Sequence, residues 1–433
     1  MDKTVQRLLA FLDESPSSYH AAAAVEKRLA GEGFVRLHEG EAWQLKEGGG
    51  YYVLRGDASL IAFRIPRRDF RGFMIAAGHS DSPTFKVRET AELPSAGGCL
   101  RLSVEPYGGM IMRSWLDRPL TVAGRVVVRD GEKLAVRLVH VERDLLVIPS
   151  LAIHMDREVN RSGALKANVD LLPLFAMGTE PGAFRRLIAG EAGVREEDLV
   201  TTDLSLCLRQ KAVLTGEAGE FVLSPRLDDL QCVFGCMEGF LAAQPGESVP
   251  VLAVFHNEEV GSGTRQGADS TFLTDVLHRV NEALGRGETA YRTAAANSFL
   301  VSADNAHAIH PAHPEYADSA EHPVLNGGVV VKYNAAQHYT TDAVSDAVFR
   351  QVCREADVPV QRYSNRADLP GGSTLGNIST AHLSVHSVDI GLPQLAMHSA
   401  CELGGAADTR HLVRAMTVYF GKSFRAGAEG YEI

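Results

Sequence analysis

Cysteine is scarce in this sequence. The six present, Cys99, Cys207, Cys232, Cys236, Cys353 and Cys401, form no C-x-x-C pair in 433 residues. That usage excludes a disulfide-stapled scaffold and a thiolate zinc ribbon, and reads as reduced, buried thiols. Long apolar runs are missing too. None approaches the roughly 18 residues that suggest a membrane span. Positive charge is in deficit: 43 Lys and Arg face 54 Asp and Glu, for a formal net charge of -11. Nonspecific nucleic-acid binding needs the opposite balance, a cationic excess that neutralises phosphates. The opening stretch, MDKTVQRLLAFLDESPSSYH, lacks the uninterrupted apolar core of a secretion signal. Val5, Leu8, Leu9 and Leu12 instead recur at helical spacing, ending before Ser15-Pro16. Repeats and low-complexity tracts are absent. The expectation is a cytoplasmic protein with neither nucleic acid nor membrane as partner.

The length exceeds one ordinary hydrophobic core, so two domains are expected. From residue 88 to 222 the texture is β-rich. Thr121–Val128 and Leu134–Val141 flank Asp130-Gly131, a hairpin signal. On either side, apolar strands such as Phe73–Ala77, Val249–Phe255, Ser298–Ser302 and Gly328–Lys332 alternate with helical stretches. Alternation of that kind implies a largely parallel or mixed sheet covered on both faces. The fold class expected is α/β: a mixed-sheet domain of residues 1–87 plus 223–433, interrupted by a β-rich insertion of residues 88–222.

The chemistry follows the strands. Phe73–Ala77 runs into Gly78-His79-Ser80-Asp81, and Val249–Phe255 into His256-Asn257-Glu258-Glu259. Ser298–Ser302 runs into Ala303-Asp304-Asn305-Ala306-His307. Gln394-Leu-Ala-Met-His398 repeats the pattern, and Pro225-Arg-Leu-Asp228-Asp229 opens an apolar helix. Open α/β sheets bind ligands beyond the carboxyl ends of their strands. Any one of these segments is as easily a cap or a solvated turn. Five at one sheet edge point to a metal site built from imidazole nitrogen and carboxylate oxygen. Two ions roughly 3.5–4 Å apart, bridged by a carboxylate, are the arrangement of two-metal hydrolases. In the Glu258-Glu259 pair one glutamate can ligate while its neighbour faces water.

Other signals exclude themselves. Gly261-Ser-Gly-Thr-Arg-Gln-Gly267 fails the dinucleotide spacing, and no P-loop Lys-Ser/Thr follows it. His307, His310 and His313 recur every third residue, but Pro311 and Pro314 rule out a regular helix there. Gly371-Gly-Ser-Thr374 offers backbone N–H groups to a carbonyl or carboxylate, or is a plain turn.

Taken together and in order, these motifs resemble the M18 metallopeptidases, the aspartyl aminopeptidases. The strings His256-Asn-Glu-Glu-Val-Gly-Ser262 and Gln394-Leu-Ala-Met-His-Ser399 carry most of the resemblance. It implies two Zn2+ per subunit, with Co2+ or Mn2+ as substitutes. Asp228 would bridge them, His79 and Asp304 completing one site, Glu259 and His398 the other. Glu258 would be the general base, and Asp81 would hydrogen-bond His79 to fix its tautomer. His307, Lys332 and Tyr339 match substrate contacts, and His154 a histidine reaching a neighbouring subunit's site. Lys332, ending the strand Val329–Lys332, would pair with an acidic substrate side chain. The resemblance further implies peptide substrates with free N-termini, a preference for Asp or Glu, and a tetrahedral dodecamer. Two alternatives remain at this point: a related dizinc carboxypeptidase or deacylase, and a catalytically idle oligomeric scaffold.

Overall fold

The computed structural model describes residues 2–161, 163–178, 180–369 and 371–433. Its centre is a nine-stranded mixed sheet. In order across the sheet, the strands are Val35–Leu37, Gly50–Arg55, Ser59–Arg64, Val249–Phe255, Phe73–His79, Phe299–Ala303, His386–Gly391, Val329–Tyr333 and Val360–Ser364. The four from Val249–Phe255 to His386–Gly391 are mutually parallel. They end along one edge. Phe73–His79 lies between strands reached by crossovers in opposite directions, so its carboxyl end is a topological switch point.

Alternation along these strands feeds two cores. Met74, Ala76, Leu252, Val254, Phe299 and Val301 pack under the helices Lys3–Asp13, Leu227–Ala242 and Ala406–Phe420. Phe73, Ile75, Ala77, Val251, Ala253 and Phe255 pack under Phe272–Ala283 and Glu288–Ala296. A period of two on a sheet covered on both faces requires both sets to be apolar, which is why the strands read as continuous hydrophobic runs.

A second, six-stranded antiparallel sheet gathers Lys133–His140, Leu120–Asp130, Leu199–Leu208, Thr84–Ser95, Cys99–Tyr107 and Leu174–Met177. It has its own core, including Phe85, Leu102, Trp115, Val122 and Phe184. Its hairpin turns at Gly131, whose φ of 62° suits a residue without Cβ, and Asp130 pairs with Lys133. The helix Ala183–Glu191 packs on this sheet, an element the β-rich texture had not suggested. A third sheet of five short strands joins Phe221–Ser224 to Glu402–Gly405, Pro393–Leu395 and Ala306–His307. No helix among the described residues is long and apolar enough to cross a membrane.

Candidate active site

The parallel strands deliver their chemistry to one edge. His79 is the last residue of Phe73–His79. Asn257, just past Val249–Phe255, takes left-handed backbone (φ 65°) and opens the single turn Glu258–Val260. Asp81 caps that turn, accepting from the backbone N–H of Glu258 (3.2 Å) and of Glu259 (3.2 Å). Asp304 follows Phe299–Ala303 directly. His386–Gly391 leads through Pro393–Leu395 to His398. Asp228 sits in the first turn of Leu227–Ala242 with a non-helical ψ of 112°.

These side chains meet as two clusters that share one residue. His79, Asp228 and Asp304 form the first, and Asp228, Glu259 and His398 the second, each with its ligand atoms within 4.8 Å of one another. Each Asp228 oxygen faces a different histidine: Oδ1 lies 3.6 Å from His79 Nε2, and Oδ2 3.3 Å from His398 Nε2. Glu259 Oε2 is 3.4 Å from the same His398 nitrogen. His79 Nε2, Asp228 Oδ1 and Glu259 Oε1 are buried without a hydrogen-bond partner. Unpaired buried polar atoms are costly. A divalent cation at each cluster would satisfy them, and the donor set of imidazole and carboxylate is one zinc accepts.

His79 is oriented as a ligand. Its Nδ1 lies 3.0 Å from the main-chain carbonyl of Asp81, so a proton on Nδ1 leaves the Nε2 lone pair facing the cluster. The contact thus comes from the Asp81 backbone. The carboxylate lies farther away, at 3.7 Å, and serves the turn and the Tyr107 hydroxyl, which donates at 2.7 Å. Tyr107 in turn accepts from Asn257 Nδ2 (2.9 Å).

Glu258 is more open than Glu259, with 14% of its side chain exposed against 4%. Burial, opposed by His79 and reinforced by the charges of Asp304, Asp81 and Asp228, pushes its carboxyl up to about 7. Cations at the two clusters would draw it down again.

Two acidic residues have roles that sequence reasoning did not assign. Glu402, fully buried, accepts from the backbone N–H of His398 (2.7 Å) and of Asp228 (3.0 Å), clamping one residue of each cluster. Burial and the Asp228 charge push its carboxyl up to about 8 against those backbone donors. Asp229 accepts from the N–H of His79 at 3.1 Å. A Cβ at Gly78 would lie 2.7 Å from Asp229 Oδ2, so the glycine of Gly78-His79 makes this contact possible.

A cavity of about 260 Å³ opens over the clusters, lined by all five cluster residues, Glu258, His307, Lys332 and Tyr339. Lys332 is buried, donating to the Asn305 carbonyl (3.1 Å) with its Nζ 3.9 Å from Asp304 Oδ1. Burial disfavours its charge, but Asp304, Tyr339 and Asp389 together outweigh it and its pKa is raised. His307 lies exposed at the rim, edge-on to Tyr363 at 5.9 Å. His154 lies on an exposed turn and does not line the cavity. The His310 and His313 rings lie tilted against each other at 5.3 Å but belong to no potential metal-holding group among the described residues. Gly372, Ser373 and Thr374 border the cavity.

Known proteins share this architecture. The family model described as "Aminopeptidase I zinc metalloprotease (M18)" matches residues 11–420. A protein of Clostridium acetobutylicum named probable M18 family aminopeptidase 2 is 40% identical over 96% of this chain and 98% of its own length. One of the same name from Pseudomonas aeruginosa is 40% identical over 96% of this chain and 98% of its own. Among solved structures, Ape4 in a complex with Nbr1 superposes with a TM-score of 0.94 at 35% identity, covering 96% of this chain and 85% of that one. The mApe1 dodecamer of S. cerevisiae gives 0.85 at 27% identity, covering 96% of each chain.

Proposed function

We propose, from the premise that this chain belongs to the M18 zinc metalloprotease family and is a metallo-aminopeptidase, that it works with two zinc ions sharing Asp228. The observation that carries this reading is the sharing of Asp228 by two clusters, its oxygens facing different histidines, with buried lone pairs otherwise unpaired. His79 and Asp304 would hold one ion with Asp228, and Glu259 and His398 the other. Co2+ or Mn2+ would substitute, having the same ligand tolerance. Held there, the ions would supply Lewis acidity toward the scissile carbonyl.

The protein's own groups do the rest. Glu258 accepts the proton of the attacking water as its oxygen bonds to the carbonyl carbon. It then returns that proton to the departing amine as the C–N bond breaks. Tyr339 donates to the oxyanion. Lys332, whose charge Asp304 sustains, favours an acidic N-terminal side chain, and His307 at the rim adds a second donor. Residues 1–87 with 223–433 form the catalytic domain, and residues 88–222 an oligomerisation and lid domain. The subunits assemble in the cytoplasm as a tetrahedral dodecamer; the dodecameric mApe1 structure supports the subunit number.

The test is a panel of aminoacyl substrates assayed on metal-stripped protein after adding back zinc, cobalt or manganese. Two ions per chain, activity on free but not blocked N-termini, and higher kcat/KM for Asp and Glu than for Leu are expected. Preference for Leu would end the acidic-pocket reading and leave the two-metal one standing. One ion per chain at full activity would end the latter.

A further inference from the structure

The mechanism does not use Asp389, yet this carboxylate is fully buried in the strand His386–Gly391, two strands from His79. Burying a carboxylate is costly unless its oxygens are well bonded, and here they are. Oδ2 accepts from the backbone N–H of Thr340 (2.6 Å) and from the Thr340 hydroxyl (2.8 Å). Oδ1 accepts from the Thr374 hydroxyl at 2.5 Å. The main chain of the same residue is engaged as well, its N–H donating to Thr341 Oγ1 at 3.0 Å.

The donors come from two separate loops. Thr340 and Thr341 close the connection that follows Val329–Tyr333, and Thr374 is the N-cap of Leu375–His382. Both loops border the catalytic cavity, the first through Tyr339 and the second through Gly372, Ser373 and Thr374. Among the described residues, no backbone ladder of the central sheet joins them to each other. Gly376 completes the fit. A Cβ there would sit 2.8 and 2.9 Å from the two Asp389 oxygens, so only glycine lets the helix approach the carboxylate this closely.

We infer that Asp389 is a positioning residue, a buried latch that ties the Tyr339–Thr341 and Gly372–Thr374 loops into a single preformed wall of the substrate cavity. Tyr339 and the second loop are then set before substrate arrives, so that binding does not have to order them. An ordinary buried carboxylate that serves only stability would fix one segment to the sheet. This one joins two segments whose common feature is the cavity they line. The functional part rests on the proposed reading of that cavity; the mechanical part does not.

Two readouts separate these parts. In the first, amide hydrogen exchange is compared between the wild-type protein and Asp389→Ala. Alanine removes both acceptor oxygens, so both loops should exchange faster together, while the strands Phe73–His79 and Val249–Phe255 stay protected. Faster exchange in one loop alone, or throughout the sheet, overturns the latch.

The second uses the milder variants Thr340→Val and Thr374→Val and their double mutant, which leave the carboxylate in place. Each single change should lower kcat/KM about ten-fold, the scale of one lost hydrogen bond to a charged group, with bound metal little changed. Thr374→Val should act through KM, and Thr340→Val through kcat as well, because it loosens the loop that carries the oxyanion donor Tyr339. Because both hydroxyls act through one carboxylate, the double mutant should depart from the product of the singles by several-fold. Additive effects, or loss of bound metal in the single variants, would overturn the assignment. If exchange couples the loops but kcat/KM does not move, the latch stands and the cavity is not where substrate binds.

Discussion

Glu258 and Glu259 are adjacent and chemically identical, yet their surroundings differ. Glu259 is sealed against His398, while Glu258 borders the open cavity 4.0 Å from His79 Nε2. Glu258→Gln preserves shape and removes the ability to take a proton. It should keep both metals and lose about 10²–10⁴-fold in kcat, the range of general-base contributions. Elemental analysis beside turnover checks this, and near-normal turnover at full metal content would reject the role. Glu402 makes a different demand. In Glu402→Gln the amide turns a donor toward one of two backbone N–H groups, loosening His398 or Asp228. Metal affinity should fall about 10–100-fold, the usual cost of losing a group that orients a ligand. Chelator competition measures this directly, and unchanged affinity would confine Glu402 to the fold. His79, Asp228, Glu258, Glu259, Asp304 and His398 were legible in the sequence because each follows a strand or opens a helix in a recognisable string. Glu402 was not: it serves backbone N–H groups, which leave no mark in the string, and although His398 is four residues away, its other partner Asp228 lies 174 residues away.

At the level of elements, legibility followed hydrophobicity. Phe73–His79 and Val249–Phe255 are fully buried on both faces and read as apolar runs. His386–Gly391 is just as central, but Ser387 and Asp389 interrupt its apolar pattern, so the strand did not stand out. The interruption is the buried carboxylate that holds the loops. The strand Cys99–Tyr107 shows how the second sheet bears on the first. Its last residue bonds Asp81, and the segment after it supports the far cluster: Ile111 N–H donates to the His398 carbonyl (3.0 Å), and Ser114 Oγ accepts from Ala400 N–H (2.8 Å). Docking of the second sheet against the first therefore braces both clusters. Tyr107→Phe removes one charge-assisted hydrogen bond beneath His79. Stability in denaturant should fall by about 1.5–3 kcal/mol, and chelators should strip metal faster. A variant with lower stability but normal metal release would mean that the strand braces the fold and not the site.

Across the whole molecule, the second sheet leaves apolar surface uncovered. Its edge strand Lys133–His140 exposes Leu134, Val136 and Leu138, and the turn that carries His154 exposes Leu151, Ile153 and Met155. An exposed apolar edge strand is a pairing hazard unless something covers it, and in a closed homo-oligomer other copies do. His154 stands in that apolar turn, away from its own chain's cavity, which fits a residue that completes a neighbour's site. His154→Ala alone would lower activity whether the residue worked in its own subunit or another, so the decisive experiment mixes two inactive proteins. A Glu258→Gln subunit keeps His154 but has no base, and a His154→Ala subunit keeps its base but offers its neighbour no histidine. If His154 acts across the interface, co-assembling the two regenerates complete sites: the base of the His154→Ala subunit faces the histidine of a Glu258→Gln neighbour. At equal proportions about a quarter of the sites should be complete, since each needs an intact base and an intact neighbour, and closed symmetric assembly presents the same interface to every copy. Activity well above that of either parent, appearing only after subunits are dissociated and reassembled together, is the expected result. Mixed assemblies no more active than the average of the two parents would place His154 in its own subunit or outside catalysis altogether.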